Sequence, residues 1–341
     1  MITPGTNSFG DFHLPLGTWV AAIVDWITTY LSGFFDVVRY VFTWMDAWME
    51  YFLSTPPFWV VALVLVALAF VAKGWKLALG AAIGLLFIVS VGQWTNAMDT
   101  LALVVVAAGL AVVISIPLGV WAARSDGASR VIRPVLDFMQ TTPAFVYLIP
   151  ALLLFRVGVV PGIVATIVFA MAPGVRLTEL GIRGVPSEVV EAGAAFGSSP
   201  WRILRQIQLP LAKASIMAGV NQVIMLSLSM VVIAGMVGAG GLGEQIVASL
   251  NRIDVGLGAE AGLSVVVLAI LLDRLTAAFG GDSGRASRLF GRRKRTTATA
   301  TPNARTAQTA ASAQTAASAQ TAATTEPPAA PADREPQTTT A

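Results

Sequence analysis

The chain of 341 residues contains no cysteine, a single histidine (His13), and only 12% charged residues. The absence of cysteine excludes disulfides, thiolate metal sites and a cysteine nucleophile. One histidine argues against zinc hydrolases and against histidine-based catalytic triads. The net charge of +3 is too small to indicate a nucleic-acid partner. No catalytic or metal site is therefore predicted.

What the chain does contain is apolar surface. Hydrophobic residues make up 55% of it and its mean hydropathy is +0.73, whereas charged residues reach about half their usual share in a soluble protein. Such a chain cannot present a water-compatible surface, so it is predicted to be an integral membrane protein in contact with the lipid bilayer. The absence of water in the bilayer core favours an all-α polytopic fold, in which each helix satisfies its own backbone.

Seven apolar runs stand out along the sequence. They cover residues 57–72, 77–92, 100–123, 135–155, 158–175, 215–237 and 262–280. A helix needs about 20 residues to cross the hydrocarbon core, so the first two runs, at 16 residues each, are the shortest candidates. The pattern predicts about seven transmembrane helices and a transmembrane domain over 57–280.

The placement of lysine and arginine indicates the orientation. If Lys73 and Lys76 are cytoplasmic and the runs alternate, 19 of the 22 basic residues lie inside, and only Arg39, Arg156 and Arg252 lie outside. The positive-inside rule then predicts an external N terminus and a cytoplasmic C terminus in the cell membrane.

The first 56 residues are rich in aromatic and aliphatic side chains but are interrupted by Asp25, Asp36, Arg39 and Asp46. One helical face is predicted to contain Ile23, Trp26, Ile27, Tyr30, Leu31 and Phe34. This spacing favours an amphipathic helix on the outer membrane surface. The alternative is an eighth transmembrane helix, which is less favoured because charged residues near the middle of a membrane span are costly.

Residues 281–341 differ from the rest of the chain. A six-residue unit repeats there as AQTAAS, AQTAAS and AQTAAT, and no aromatic residue follows Phe290. A segment rich in alanine and threonine that has no aromatic residue after Phe290 cannot build a core, so we expect a disordered cytoplasmic tail.

The cytoplasmic loop between the fifth and sixth runs is long, at 39 residues, which is typical of a functional element. It is predicted to form two short helices joined by a turn at Gly197. Ser187 is expected to cap the first, and Ser199 the second, with Pro200 at its first position. The second helix is expected to stop before Pro210. Such a helix pair is a candidate docking surface.

Within this loop a spaced motif resembles the EAA loop of ABC-importer permeases, E-A-A-x3-G-x9-I-x-L-P, over residues 186–212. The matching residues are Glu191, Ala192, Gly193, Gly197, Ile207, Leu209 and Pro210. Gly193 replaces the second alanine of the family pattern. The resemblance implies a coupling helix that seats in a cleft of an ATPase subunit. The alternative is an amphipathic surface helix pair with no partner.

Over residues 95–280 the chain resembles the glycine betaine/proline branch of these permeases. The resemblance is carried by the segments 136–150, 238–243 and 271–276. It implies a bundle like that of type I importer permeases, and transport of quaternary ammonium compatible solutes. It also implies three partners: an ABC ATPase dimer that binds ATP and magnesium, an extracytoplasmic substrate-binding protein, and a second permease copy.

The lysines agree with a chain that is not itself an ATPase. A P-loop needs a Gly-Lys pair to hold phosphate. None of the four lysines, Lys73, Lys76, Lys213 and Lys294, follows a glycine. The chain is therefore expected to be a transport subunit without enzymatic activity or a cofactor of its own.

Polar residues inside two of the runs are candidates for the translocation path. In the fourth run Asp137, Gln140, Thr141, Ala144 and Tyr147 share the spacing of one helix face. The predicted path residues are Gln140, Thr141, Thr142, Tyr147, Asn221 and Gln222. In a membrane such side chains line a path or bond between helices, and both readings remain open.

Three other functions compete with this one. An ABC permease for methionine or another small organic solute would share the loop. An ion-coupled secondary transporter would need a midplane carboxylate and repeated broken helices, which the sequence does not show. A structural membrane protein would use the loop as a scaffold contact and would tolerate changes along the fourth run.

Overall fold

The computed structural model describes residues 16–280, and within that range it contains helices and no strand. In chain order the first helices are α1 (Leu16–Tyr30), α2 (Ser32–Ser54), α3 (Phe58–Lys73), α4 (Trp75–Ser90), α5 (Trp94–Arg124), α6 (Asp126–Thr141) and α7 (Ala144–Phe155). They are followed by α8 (Val159–Arg183), α9 (Ser187–Ala195), α10 (Pro200–Ile203), a π-helical segment (Leu204–Gln208), α11 (Leu209–Gly235), α12 (Gly241–Arg252) and α13 (Val255–Gly280).

The centre of the fold is a bundle in which α8 packs against both α5 and α11. Their buried contact is built from small side chains, including Ala107 and Ala111 on α5, Ala170 on α8 and Ala234 on α11. Lipid offers no hydrophobic driving force between helices, so small residues that allow close packing hold them together. A second cluster joins α3, α4 and α13.

The predicted apolar runs are all helical, but they do not all have the length of a span. Within residues 16–280, four helical stretches are long and apolar enough to cross a membrane, or six if each of two bent helix pairs counts as one. The helices α3 and α4 have only 16 residues each. The all-α prediction is confirmed for this part of the chain, and the number seven stays a prediction.

The fourth run is broken, contrary to its prediction as one helix. The axes of α6 and α7 differ by 99° across Thr142 and Pro143. The residue before a proline is pushed to extended backbone, and Thr142 has φ −73° and ψ 129°. The hydroxyls of Thr141 and Thr142 donate to the Phe138 carbonyl, at 3.1 and 2.8 Å. The single polar face through Tyr147 was therefore wrong.

The cytoplasmic loop is also shorter than predicted. Helix α8 continues through Arg183, and the membrane helix α11 follows the π-helical segment without a break. The second loop helix was expected to end before Pro210, but Pro210 lies in the first turn of α11. The turn before it is π-helical, with the Leu209 N–H donating to the Leu204 carbonyl, and a widened turn of this kind lets a continuous helix accommodate a proline.

The N-terminal region forms two helices instead of one. Helices α1 and α2 meet at 77° near Leu31, which interrupts the predicted amphipathic face. Helix α2 packs against α5, α7 and α8, with the ring of Phe35 5.4 Å from that of Phe155. Its position on the membrane surface stays a prediction, and the predicted disordered tail lies outside the described residues.

Close approach of α11 and α12 requires glycine at one position. A Cβ atom on Gly243 would overlap the Val231 carbonyl oxygen, and backbone cannot move aside as a side-chain end can. We expect Gly243→Ala to destabilise the domain by about 1–3 kcal/mol, the usual cost of overpacking. Thermal unfolding in detergent should show a lower Tm. Gly109→Ala is the matched control, because nothing lies within 4 Å of a Cβ there. Equal Tm values for the two variants would contradict the packing assignment.

Candidate functional site

The most exposed apolar surface of the predicted coupling loop lies on α9 and α10. Helix α9 buries none of its residues. Phe196, at the end of α9, is 90% exposed, and Trp201, on α10, is 60% exposed. Val189 on α9 is also exposed. Large aromatic side chains held out in this way mark an interaction surface. We call residues 187–203 the coupling surface.

The turn within the coupling surface is fixed by the backbone. Helix α9 ends in a Schellman motif, in which the Ser198 N–H donates to the Gly193 carbonyl at 3.1 Å and the Gly197 N–H to the Ala194 carbonyl at 2.9 Å. Gly197 has φ +72°, the left-handed conformation that this motif needs and that glycine adopts without strain. The motif residue Gly197 is thus required by conformation.

The predicted caps of the two helices have different outcomes. The Ser199 Oγ accepts a hydrogen bond from the Arg202 N–H at 3.4 Å, and Pro200 is the first residue of α10. Both features confirm the prediction. Ser187 does not cap α9, because Pro186 occupies the cap position and no side-chain capping bond forms. The N–H of Val189 donates instead to the Pro186 carbonyl at 3.2 Å.

The coupling surface is anchored to the membrane bundle. Ile203 and Leu204 are buried, and Leu204 packs with Ile182 of α8 and Ala212 of α11. Since buried side chains interdigitate closely, α10 is in packing contact, through its cap residue Leu204, with the ends of both membrane helices.

The glycine that departs from the family pattern lies at the contact between the two halves of the loop. A Cβ on Gly193 would lie 2.7 Å from the Cδ1 of Ile207, so the absence of a side chain lets α9 approach the π-helical segment. The structure thereby brings Gly193 and Ile207 together. Glu191 and Ala192 are exposed. Leu209 and Pro210 begin α11.

A cavity of about 620 Å³ lies between α6, α8 and α11. Its polar lining includes Arg133, Asp137, Gln140, Arg176 and Gln222. Two of the predicted path residues, Gln140 and Gln222, are therefore brought together although they come from different helices. Asp137 was expected at a membrane interface or helix end; it forms an ion pair with Arg176 across α6 and α8.

The other predicted path residues make bonds within the bundle. The Tyr147 hydroxyl donates to the Met139 carbonyl at 2.6 Å, which closes the bend between α6 and α7. The Asn221 amide donates to Asp273 Oδ1 at 3.0 Å and accepts from the Thr276 hydroxyl, which links α11 to α13. Neither residue lines the cavity of Gln140 and Gln222. These contacts favour packing, and a path role for these residues stays a prediction.

An ion cluster that the sequence reading missed lies at the C-terminal end of α8. The side chain of Glu179 is buried, and its Oε1 accepts from Ser129 Oγ at 2.7 Å and from Arg133 Nη2 at 2.8 Å. Arg183 lies 3.1 Å from the same oxygen. Because the fifth run was taken to end at residue 175, Glu179 was assigned to the loop. A carboxylate one turn before an arginine on the same helix was the available signal.

A smaller cavity, of about 190 Å³, lies at the other end of the bundle beside the glycine turn 238–240. Asp46, Glu50 and Asp99 contribute to its lining. Within residues 16–280, however, no three histidine or carboxylate side chains are grouped so that they could hold a metal ion.

Comparison with solved structures identifies the fold. The chain matches the MetNI methionine ABC transporter in an inward facing conformation with a TM-score of 0.51 and 21% sequence identity. The match covers 54% of this chain and 93% of the other. At this identity the likeness shows the fold, which is the predicted bundle of an ABC-importer permease.

Comparison with sequences identifies the family. Residues 115–281 match the family described as binding-protein-dependent transport system inner membrane component. The glycine betaine/proline betaine transport system permease protein ProW of Escherichia coli (strain K12) is 46% identical over 280 residues, or 81% of this chain and 79% of its own. The glycine betaine/carnitine transport permease protein GbuB of Listeria monocytogenes serotype 1/2a (strain 10403S) is 47% identical over 270 residues, 78% of this chain and 95% of its own. The chain therefore belongs to the binding-protein-dependent inner membrane components, the permease subunits of ABC importers.

Proposed function

We propose that this chain is the permease of an importer for glycine betaine, proline betaine or a related quaternary ammonium compatible solute. The observation that carries the proposal is the identity of 46–47% over about four-fifths of the chain with permeases named for these solutes. The exposed coupling surface supplies the contact for a separate ATPase. Magnesium and ATP are held by that partner.

The proposed mechanism is alternating access. ATP binding closes the ATPase dimer, and the coupling surface follows it because Leu204 ties it to α8 and α11. ATP drives this change only if it binds the two states with different affinity. An extracytoplasmic binding protein delivers the solute, and a second permease copy supplies the other half of the pathway. The positive-inside rule supports an external N terminus and a cytoplasmic C terminus.

In this proposal Gln140 and Gln222 line the cytoplasmic part of the path. Both face the 620 Å³ cavity, whose lining contains no aromatic side chain. A quaternary ammonium group is bound tightly by an aromatic cage. The composition of this lining therefore favours weak binding of the solute in the cavity and high-affinity recognition by the binding protein.

A permease for methionine or another small organic solute is the second candidate. It would share the fold of the methionine transporter, but a likeness at 21% identity shows the fold alone, so the relatives at 46–47% identity decide in favour of the betaine class. An ion-coupled transporter would leave the coupling surface without a role.

The solute is tested by uptake in proteoliposomes that contain the permease, its ATPase and its binding protein. We expect ATP-dependent accumulation of radiolabelled glycine betaine, with competition by proline betaine and none by methionine. Competition by methionine, without betaine uptake, would keep the importer and overturn the solute. Failure of any ATPase to bind would overturn both.

The coupling surface is tested at Gly197, where conformation and volume can be separated. A Cβ there would have nothing within 4 Å, so only the φ of +72° restricts the residue. Gly197→Val should weaken copurification of the ATPase, because a β-branched residue is costly in this conformation, by about 1–2 kcal/mol or more. Gly197→Asn should preserve it, since asparagine tolerates the left-handed region. Equal losses in the two variants would show that the turn conformation is not what the ATPase requires.

The path is tested at the two glutamines. Gln140→Leu and Gln222→Leu should each lower uptake about tenfold, because each removes about one hydrogen bond to the solute or its water. Docking of the ATPase should be unchanged. Ser227→Ala is the matched control on α11, because the Ser227 hydroxyl bonds its own helix at the Val223 carbonyl. Wild-type uptake by both leucine variants would reassign the glutamines to packing.

A further inference from the structure

The C-terminal end of α8 contains a carboxylate that is almost completely removed from solvent. Glu179 is 3% exposed. Its Oε1 accepts from Ser129 Oγ at 2.7 Å and from Arg133 Nη2 at 2.8 Å, and lies 3.1 Å from Arg183 Nε. A buried charge is tolerated only when it is paired and hydrogen-bonded. The Glu179 carboxylate has three such partners, so it forms a specific contact between helices.

The partners of Glu179 come from a different helix as well as from its own. Ser129 and Arg133 belong to α6, whereas Arg183 is the last residue of α8. Arg183 reaches back to Asp126, the first residue of α6, at 2.8 Å. It also donates to the Ala122 carbonyl of α5 at 2.9 Å. We call Asp126, Ser129, Arg133, Glu179 and Arg183 the Glu179 cluster.

Apolar packing of α6 against α8 is confined to a small cluster around Leu136, against which Ile132 and Met139 are partly buried. The one buried large side chain of α6 is Leu136, which packs with Ala172 and Val175 of α8. Val131 and Phe138, by contrast, are both 68% exposed within this chain. Charge-assisted hydrogen bonds are stronger and more directional than neutral ones. The Glu179 cluster and the Asp137–Arg176 ion pair are therefore the two directional attachments of α6 to α8 among the described side chains.

The Glu179 cluster also joins the coupling surface to the cavity, because Arg133, Glu179 and Arg183 form part of the cavity lining. Only residues 184–186 separate Arg183 from the first residue of α9. At the other end of α6, Gln140 lines the cavity and the chain bends by 99° into α7. A displacement of α9 that passes along α8 reaches Gln140 through the contacts between α8 and α6, of which the Glu179 cluster is the one nearest to α9 in the chain.

We propose that Glu179 is a positioning residue that makes α6 follow α8 when the coupling surface moves, so that work by the ATPase reaches the cavity. The inference rests on the proposed function as an ATP-driven permease. Glu179 lies in the cavity wall, but its Oε1 is occupied by Ser129, Arg133 and Arg183, so the role proposed for it is to position α6 and not to bind the solute. It acts through Ser129 and Arg133, and its removal separates hydrolysis from transport.

The test uses the complete transporter in proteoliposomes and measures solute transported per ATP hydrolysed. Glu179→Gln keeps the size of the side chain but removes the charge that Arg133 and Arg183 bind. ATPase copurification and basal hydrolysis should remain within about twofold of wild type, and solute per ATP should fall about tenfold, within the range by which residues along a coupling route act. Glu179→Asp, which retains the charge, should restore part of the ratio.

Thr178→Val is the matched control. Thr178 adjoins Glu179 on α8 and is buried, and its hydroxyl has no hydrogen-bond partner among the described residues. We expect a ratio equal to that of wild type. In a double-mutant cycle, Glu179→Gln and Arg133→Gln should be less than additive, because both remove the same bond.

Three outcomes decide the proposal. If Glu179→Gln transports as much solute per ATP hydrolysed as the wild type, the proposal is overturned. The proposal is also overturned if Glu179→Gln lowers the Tm and the ATPase copurification in parallel with uptake, and Glu179→Asp restores none of them. The cluster would then be a folding element. If the wild-type complex itself shows no ATPase binding, the proposed function fails first, and this result is distinct from the other two.

Discussion

The lack of water in the bilayer core is the constraint on which this structure depends, because the backbone N–H and C=O groups there must find their partners within the protein. The bend between α6 and α7 shows how that is met: Thr141 and Thr142 bond the Phe138 carbonyl, and the Tyr147 hydroxyl bonds the Met139 carbonyl. The π-helical segment before Pro210 keeps the chain helical where a proline would otherwise leave an opening. The same constraint leaves buried Glu179 with three partners. Irregular backbone and buried charge thus occur together with the bonds that make them tolerable.

Within this constraint, close packing of α8 determines the geometry of the functional parts. Small residues let α8 approach both α5 and α11. A Cβ on Gly174 of α8 would lie 2.5 Å from Ser115 Oγ of α5, and one on Gly162 would lie 2.9 Å from the Ala234 Cβ of α11. Interfaces of this kind resist gradual deformation, because tightly packed helices repack in discrete steps. In the proposed transport cycle, α8 therefore moves as a rigid element between the coupling surface at its cytoplasmic end and the glycine turn at the other.

The membrane class, the helical positions of the seven apolar runs and the coupling motif could be predicted from composition, periodicity and spacing. Ser199 and Pro200 begin a helix as local capping chemistry requires. Features that depend on partners distant in sequence could not be predicted. The bend at Pro143 was mistaken for a helix interior, because proline in a membrane helix is compatible with both. Glu179 was assigned to a loop, since hydropathy falls before α8 ends. The hydrogen bond from Asn221 to Asp273 depends on the packing of α11 against α13, which the sequence does not reveal.

The continuity of the chain from α10 through the π-helical segment into α11 has a mechanical consequence. Residues Pro200–Gly235 form one helical stretch of 36 residues, which at 1.5 Å per residue is about 54 Å long. It reaches from the exposed Trp201 at the coupling surface to the glycine turn at the opposite end of the bundle. A rod of that length, tilted by about 5° around its middle, displaces each end by about 2 Å in opposite directions, as its length dictates. In the proposed transport cycle this helix would act as a lever, because a small rotation near its centre moves its two ends in opposite directions.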